Sequence, residues 1–193
     1  MNVLAPDAEL WIVRHGQTEW SREWRHTSFT DLPLTEEGER QATTLRPALA
    51  DIAFDRVLTS PRQRAQRTAE LAGFHEVTVD PDLVEWDYGD YEGLTTETIR
   101  ESVPDWTVWT HPCPNGESAE QVGERLDRVV DLAREPGRTL VFAHGHSLRV
   151  LAARWLGLAV DQGRIFDLDT ATYSVLSADR GTPVVKRWNV TSW

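Results

Sequence analysis

Residues 10–16 read Leu10-Trp11-Ile12-Val13-Arg14-His15-Gly16: four apolar residues, then an arginine, a histidine and a glycine with no spacer. A short apolar run bounded by polar residues suits a buried β-strand. The same order recurs downstream. Arg56-Val57-Leu58-Thr59 reads as a second strand and leads into Ser60-Pro61-Arg62; Thr139-Leu140-Val141-Phe142-Ala143 reads as a third and leads into His144-Gly145-His146. Each strand thus ends directly in a cluster of basic side chains.

Helical signals fill the gaps. Thr35, followed by Glu36 and Glu37, offers an N-cap hydroxyl and an acidic first turn. Pro47 is expected to kink or restart that helix. Ser60 as N-cap, Pro61 at the first helical position and Gly73 past the end punctuate the next one. Ser118 and Gln121 have capping-box spacing and open a helix with Val122, Leu126, Val129 and Ala133 along one face. A last helix runs to about Leu156 with Gly157 as its cap. Thr172–Ser177 and Pro183–Trp188, separated by Asp179-Arg180-Gly181, read as an antiparallel pair near a sheet edge. The alternation predicts an α/β fold, a three-layer α/β/α sandwich with a mainly parallel central sheet and an antiparallel edge. Residues 1–193 are expected to form one domain. The segment 85–116, with Pro104, Pro112 and Pro114, interrupts the alternation and is expected to be an inserted lid or pocket wall.

Composition narrows the partners. A formal charge of −11 disfavours nucleic acid and anionic membranes, so an anionic ligand needs a locally basic pocket. The single cysteine, Cys113, cannot form an internal disulfide and suits a reducing compartment. No run approaches the ~20 apolar residues of a membrane span, and no basic-then-apolar leader opens the chain. A cytoplasmic protein is expected. Nine tryptophans could form a carbohydrate-stacking surface, but burial is the better reading. A homodimer is compatible with the late antiparallel edge, although such edges are often simply blunted.

In an open parallel sheet the three basic clusters gather at the carboxyl edge, where crevices bind ligands. Helix N-termini there add N–H donors, and arginines engage phosphate oxygens bidentately. A phosphate-type ligand follows from this placement. Taken singly, each residue has a plainer reading: Arg62 as a surface charge, His15 as a structural histidine, His144 and His146 as metal ligands, Glu85 as a solvated loop residue. Their joint occurrence at equivalent positions argues against those readings.

These residues resemble the histidine phosphatase superfamily, the group that includes cofactor-dependent phosphoglycerate mutase. Val13-Arg14-His15-Gly16-Gln17-Thr18-Glu19-Trp20 is similar to its nucleophile motif. Thr59-Ser60-Pro61-Arg62-Gln63-Arg64-Ala65 with Thr68-Ala69 matches its second arginine motif. Glu85-Trp86-Asp87-Tyr88-Gly89 with Glu92-Gly93 matches its acid/base segment, and His144-Gly145-His146 its second histidine. The run from Glu85 to Thr96, with Trp106-Thr107-Val108-Trp109 and Asn115-Gly116-Glu117-Ser118, looks closest to actinobacterial acid phosphatases and to the branch holding fungal sedoheptulose-1,7-bisphosphatase.

The resemblance implies a phosphoglycerate mutase-like fold and a metal-independent phosphomonoesterase without a cofactor, acting on small phosphorylated metabolites such as sugar phosphates or bisphosphates. It implies His15 as the nucleophile that becomes phosphohistidine. It implies Arg14, Arg62 and His144 as ligands of the equatorial oxygens, and Glu85 as general acid and then base. Glu85 would need a raised pKa, from burial or a neighbour such as Asp87, which implies an acidic to neutral optimum. Thr27, Ser28 and Tyr88 align with substrate-contacting positions, as do Ser21 and Gly145. Ser21 replaces an asparagine of the mutase pattern and Ser28 a glycine. The mutase branch also carries an arginine pair after the acid/base motif, whereas residues 92–115 hold only Arg100. Mutase activity is therefore disfavoured. The other readings are a protein-phosphohistidine phosphatase, a non-catalytic phospholigand-binding module, which could dispense with His15 or Glu85, and a metal-dependent hydrolase.

Overall fold

The computed structural model describes residues 4–192. One six-stranded sheet runs through it: β1 (Glu9–Arg14), β2 (Arg56–Thr59), β3 (Thr78–Val79), β4 (Arg138–Ala143), β5 (Tyr173–Asp179) and β6 (Thr182–Val190). The order across the sheet is β3-β2-β4-β1-β5-β6. The first four strands in that order pair in parallel, and β5 and β6 pair antiparallel. β3 escapes a reading of hydrophobic runs because it is two residues long and exposed.

Side-chain alternation along the strands builds the layers. Leu10 and Ile12 of β1, with Val141 and Ala143 of β4, join a core that includes Leu126 and Val130 of α5 (Ala119–Ala133) and Leu148 and Leu151 of α6 (Gly145–Trp155). Trp11 and Val13, with Leu140 and Phe142, face Leu45 and Leu49 of α2 (Glu36–Leu49) and Ala69 at the end of α3 (Gln63–Leu71). Helices cover both faces, as the three-layer reading requires. Two shorter helices, α1 (Glu19–Arg22) and α4 (Thr96–Arg100), flank the carboxyl edge. The hairpin between β5 and β6 turns at Arg180 (φ 51°) and Gly181 (φ 83°), and this left-handed pair matches the twist of the strands.

Local punctuation departs from expectation twice. Helix α2 runs through Pro47 without a break. Pro47 is exposed in the last turn, so it removes one backbone bond near the helix end and leaves the rest of the helix intact. Helix α3 takes Arg62, not Ser60, as its N-cap, and no side chain closes that end. The Ser60 hydroxyl accepts from the Arg62 N–H at 3.3 Å, but it also turns to His144.

Parallel register sets the level of the strand ends. Arg14 pairs with Ala143, and Thr59 with Phe142, so the next residues, His15, Ser60 and His144, emerge side by side. The His15 N–H continues the ladder to Ala143 O at 3.0 Å, and the Ser60 N–H to Phe142 O at 2.9 Å. Helix α2 abuts the loop after β1 so closely that neither Gly16 nor Gly38 has room for a side chain: a Cβ on Gly38 would lie 2.0 Å from Gln17 O. Gly38→Ala should lower the unfolding free energy by about 2–3 kcal/mol in a urea titration. Gly157→Ala meets no atom within 4 Å and should cost only its positive-φ strain, about 1 kcal/mol.

Candidate active site

His15 is 6% exposed, and its Nδ1 lies 2.8 Å from Gly16 O. A carbonyl can only accept, so Nδ1 carries the proton and Nε2 keeps its lone pair. His144 is fully buried, with its ring centroid 5.2 Å from that of His15. Its Nδ1 accepts from Arg64 Nε at 3.2 Å, so the Nε2 proton points to Ser60 Oγ at 2.7 Å. The two imidazoles are neutral with opposite tautomers. His144 has no lone pair left for a metal ion, and among the described residues no cluster of three or more His, Cys, Asp or Glu could hold one.

Two arginines press on this pair. Arg64 has no solvent exposure and donates to Thr27 O, Ser28 O and Thr30 O as well as to His144. Burial first, then the Arg64 charge and the Arg14 charge, hold His15 well below the usual histidine range. The same burial and Arg64 act on His144. Arg14 approaches the first turn of α6, where a Cβ on Gly145 would lie 3.3 Å from its Cζ; its Nη1 donates to Leu168 O. Arg62 sits with its guanidinium 5.4 Å over the Phe29 ring. The Nε atoms of Arg14 and Arg62 are buried without a hydrogen-bond partner. Both are unsatisfied donors, and of the two residues Arg14 borders the adjoining cavity.

Glu85 is 5% exposed. Its carboxylate accepts the backbone N–H groups of Trp86 (2.9 Å), His146 (3.0 Å) and Ser147 (2.8 Å), and so caps the positive end of α6. Asp87, expected to face it, instead accepts from the Gly89 N–H at 2.8 Å. Its charge reaches Cys113, whose thiol is pushed up to about 12 by burial and then by Asp87.

Some of these groups line one face of a cavity of about 450 Å³. Arg14, His15, Ser21, Thr27, Glu85, Tyr88 and Gly145 all border it. Ser21 lines it while holding the α1 capping box, with its Oγ accepting the Thr18 N–H at 2.8 Å. Ser28 does not line it; its N–H binds the Glu92 carboxylate and its carbonyl accepts from Arg64. Arg62, Arg64 and His144 do not border the cavity. Sequence reasoning gave the second arginine position to Arg62 alone, although the quoted motif also contains Arg64, which donates to His144 and whose charge acts on His15. It also passed over Trp24, His26 and Arg149, and weighed His146 only as a possible metal ligand, although all four line the cavity. His146 Nδ1 lies 2.6 Å from the Tyr88 hydroxyl, and Arg149 sits 4.8 Å over the Trp109 ring. A larger surface hollow of about 640 Å³ between α2 and α3 holds none of the predicted site residues.

The profile of the histidine phosphatase superfamily (branch 1) matches residues 10–191. The chain belongs to the histidine phosphatase superfamily. An acid phosphatase of Mycobacterium tuberculosis is 45% identical over 177 residues, spanning 89% of this chain and 87% of that protein. The sedoheptulose 1,7-bisphosphatase of Saccharomyces cerevisiae is 38% identical over 215 residues, spanning 88% and 79%. A solved structure of an open reading frame product of M. tuberculosis superposes with a TM-score of 0.93 at 41% identity, covering 97% of this chain and 100% of that one. Within the histidine phosphatase superfamily this protein is a phosphatase, and the mutase and binding-module readings are not favoured. Among the described residues no helix is long and apolar enough to cross a membrane.

The buried histidines give this histidine phosphatase a pH signature. His26, by burial, is lowered to about 4, and His15, His144 and His146 are also lowered. Their folded values lie below the ordinary ~6.5, so the unfolded chain binds protons first as the pH falls. Their contribution to stability is therefore unimpaired above pH ~6.5 and is lost progressively below it. At pH 5 His26 alone should cost about 2 kcal/mol relative to pH 7. Denaturant unfolding at the two pH values should read that loss, and His26→Gln should reduce it.

Proposed function

We propose that the protein hydrolyses phosphomonoesters of small hydroxyl-rich metabolites, sugar phosphates in particular, through a phosphohistidine at His15. One observation carries the reading: His15 borders the cavity with Nδ1–H held by Gly16 O, which leaves the Nε2 lone pair for phosphorus. His15 Nε2 forms a bond to phosphorus as the ester P–O bond breaks. The leaving alkoxide takes a proton from Glu85. A water then attacks the phosphohistidine, gives its proton to Glu85, and inorganic phosphate departs as the N–P bond breaks. Arg14, Arg64 and Arg62 hold the charge on the transferring group. His144, fastened between Arg64 and Ser60, keeps a neutral N–H beside it. Each step is carried by side chains of this chain.

The cavity beyond the phosphoryl end supports a hydroxyl-bearing leaving group. Ser21, Thr27, Thr95 and Thr96 border it, Trp24 stands 83% exposed at its rim, and the charges of Glu23 and Arg25 are paired at 2.8 Å. The names of the two relatives, an acid phosphatase and a sugar bisphosphatase, agree with this class. Arg100 donates to Trp106 O at 2.9 Å and does not border the cavity, which also disfavours a carboxylate-gripping mutase site. The segment 85–116 supplies Glu85, Tyr88, Thr95, Thr96 and Glu97 to the lining, in keeping with a pocket wall.

A sugar phosphate labelled in its phosphoryl group should leave an acid-labile, base-stable label on rapidly quenched enzyme. His15→Ala should abolish both label and turnover; near-normal rates in that variant would remove the mechanism. The arginines should rank. Arg64→Ala should lower kcat/KM by about 100-fold or more, and Arg62→Ala by less, because only Arg64 also fastens His144.

A further inference from the structure

Glu85 is held twice, and the second hold lies outside the cavity. Arg125 of α5 is 7% exposed, and all five of its N–H donors are used. Nη1 donates to Asp82 O at 2.6 Å and Val84 O at 2.9 Å, and Nη2 to Glu85 O at 3.2 Å. Nε and Nη2 form a bidentate pair with Glu117 at 2.8 and 2.9 Å. The other side of the pair completes the bracket. Glu117 accepts the Asp87 N–H at 3.0 Å, its own N–H donates to Asp87 O at 3.0 Å, and its carbonyl accepts Trp86 Nε1 at 3.0 Å. Every residue from Asp82 to Asp87 except Leu83 is thus tied to one nearly buried ion pair.

We infer that the Arg125–Glu117 pair is a positioning device for the proton donor: it sets the backbone of residues 82–87 so that the Glu85 carboxyl meets both the N-terminus of α6 and the leaving oxygen. The inference rests on the reading of Glu85 as general acid. The bracket joins two elements remote in sequence, α5 and the 82–87 turn, and no other buried cation reaches those carbonyls among the described residues. A lysine carries three donors and cannot reproduce a planar five-donor fork, so the arginine is specific to the task. Neither Arg125 nor Glu117 borders the cavity, so neither touches the substrate.

A displaced acid has a kinetic signature that a loosened fold does not. Loss of proton donation slows esters of poor leaving groups and spares those whose leaving group departs unprotonated. The value of kcat/KM reports the steps up to release of the alcohol, so the later hydrolysis of phosphohistidine does not mask the effect. The experiment compares glycerol 3-phosphate with p-nitrophenyl phosphate for wild type, Glu85→Gln, Arg125→Lys and Glu117→Gln, with melting curves for each. In Arg125→Lys and Glu117→Gln, kcat/KM should fall about 30-fold or more for glycerol 3-phosphate and within about threefold for p-nitrophenyl phosphate, following the pattern of Glu85→Gln. An equal fall for both substrates, or no fall in a folded variant, overturns the inference. If Glu85→Gln itself shows no dependence on the leaving group, the general-acid reading fails first. Glu117→Gln retains shape and an acceptor oxygen, so it tests the inference even where Arg125→Lys folds poorly.

Discussion

The parallel pairing of β2 and β1 on either side of β4 is the constraint on which the site depends. Because Arg14 pairs with Ala143 and Thr59 with Phe142, three chain segments leave the sheet at one level, and His15, Ser60 and His144 follow as immediate neighbours. A slip of one residue in any of these pairings would turn the strand's apolar side chains to the wrong layer, so the core that fixes the fold also fixes the site. Gly16 and Gly38 add a second lock. Their bare backbones let α2 close against the loop that carries His15, and Thr68 Oγ1 accepts the Gly16 N–H at 3.0 Å from the opposite side.

Desolvation then decides the chemistry. An imidazole in water near neutral pH is shared between protonated and neutral forms. Here burial and the guanidinium of Arg64 hold both site histidines neutral. Hydrogen-bond partners then choose the tautomers: a carbonyl for His15 Nδ1 and a guanidinium for His144 Nδ1. One imidazole is left as a lone-pair donor and the other as an N–H donor. The buried arginines are tolerable because carboxylates stand close. Glu85, Asp31 and Glu92 favour the Arg64 charge against its burial. A chain with a net charge of −11 can hold a cationic pocket in this way, since the acidic surplus is spread over the surface while the arginines converge.

The walls of the cavity are held by charges that act on backbone rather than on side chains. Glu92 takes the N–H groups of Ser28 and Thr30, while Arg64 takes the carbonyls of Thr27, Ser28 and Thr30. The loop that bears the aligned Thr27 and Ser28 is therefore stretched between an anion and a cation, which accounts for a buried Ser28 that does not reach the cavity.

Much was legible in the residue order because it rests on local rules. Apolar runs such as Leu10–Val13 marked three central strands, capping residues such as Thr35 and Ser118 marked helix starts, and the basic clusters directly after those strands placed their side chains together at the carboxyl edge. The two-residue β3 was not legible, since a strand so short and exposed has no pattern of its own. Ser60 was misread as a helix cap because its hydroxyl serves His144, a residue 84 positions away. Arg64 was passed over for a related reason: nothing local distinguishes two arginines two residues apart, and only the packing of α3 against the 27–30 loop buries Arg64 against His144. The chain alone determined the fold class and membership of a phosphatase family, because periodicity and motif spacing are written along it. Tautomer, protonation and which arginine meets His144 were decided only by tertiary structure, because desolvation and hydrogen-bond partners arise between segments that the sequence keeps far apart.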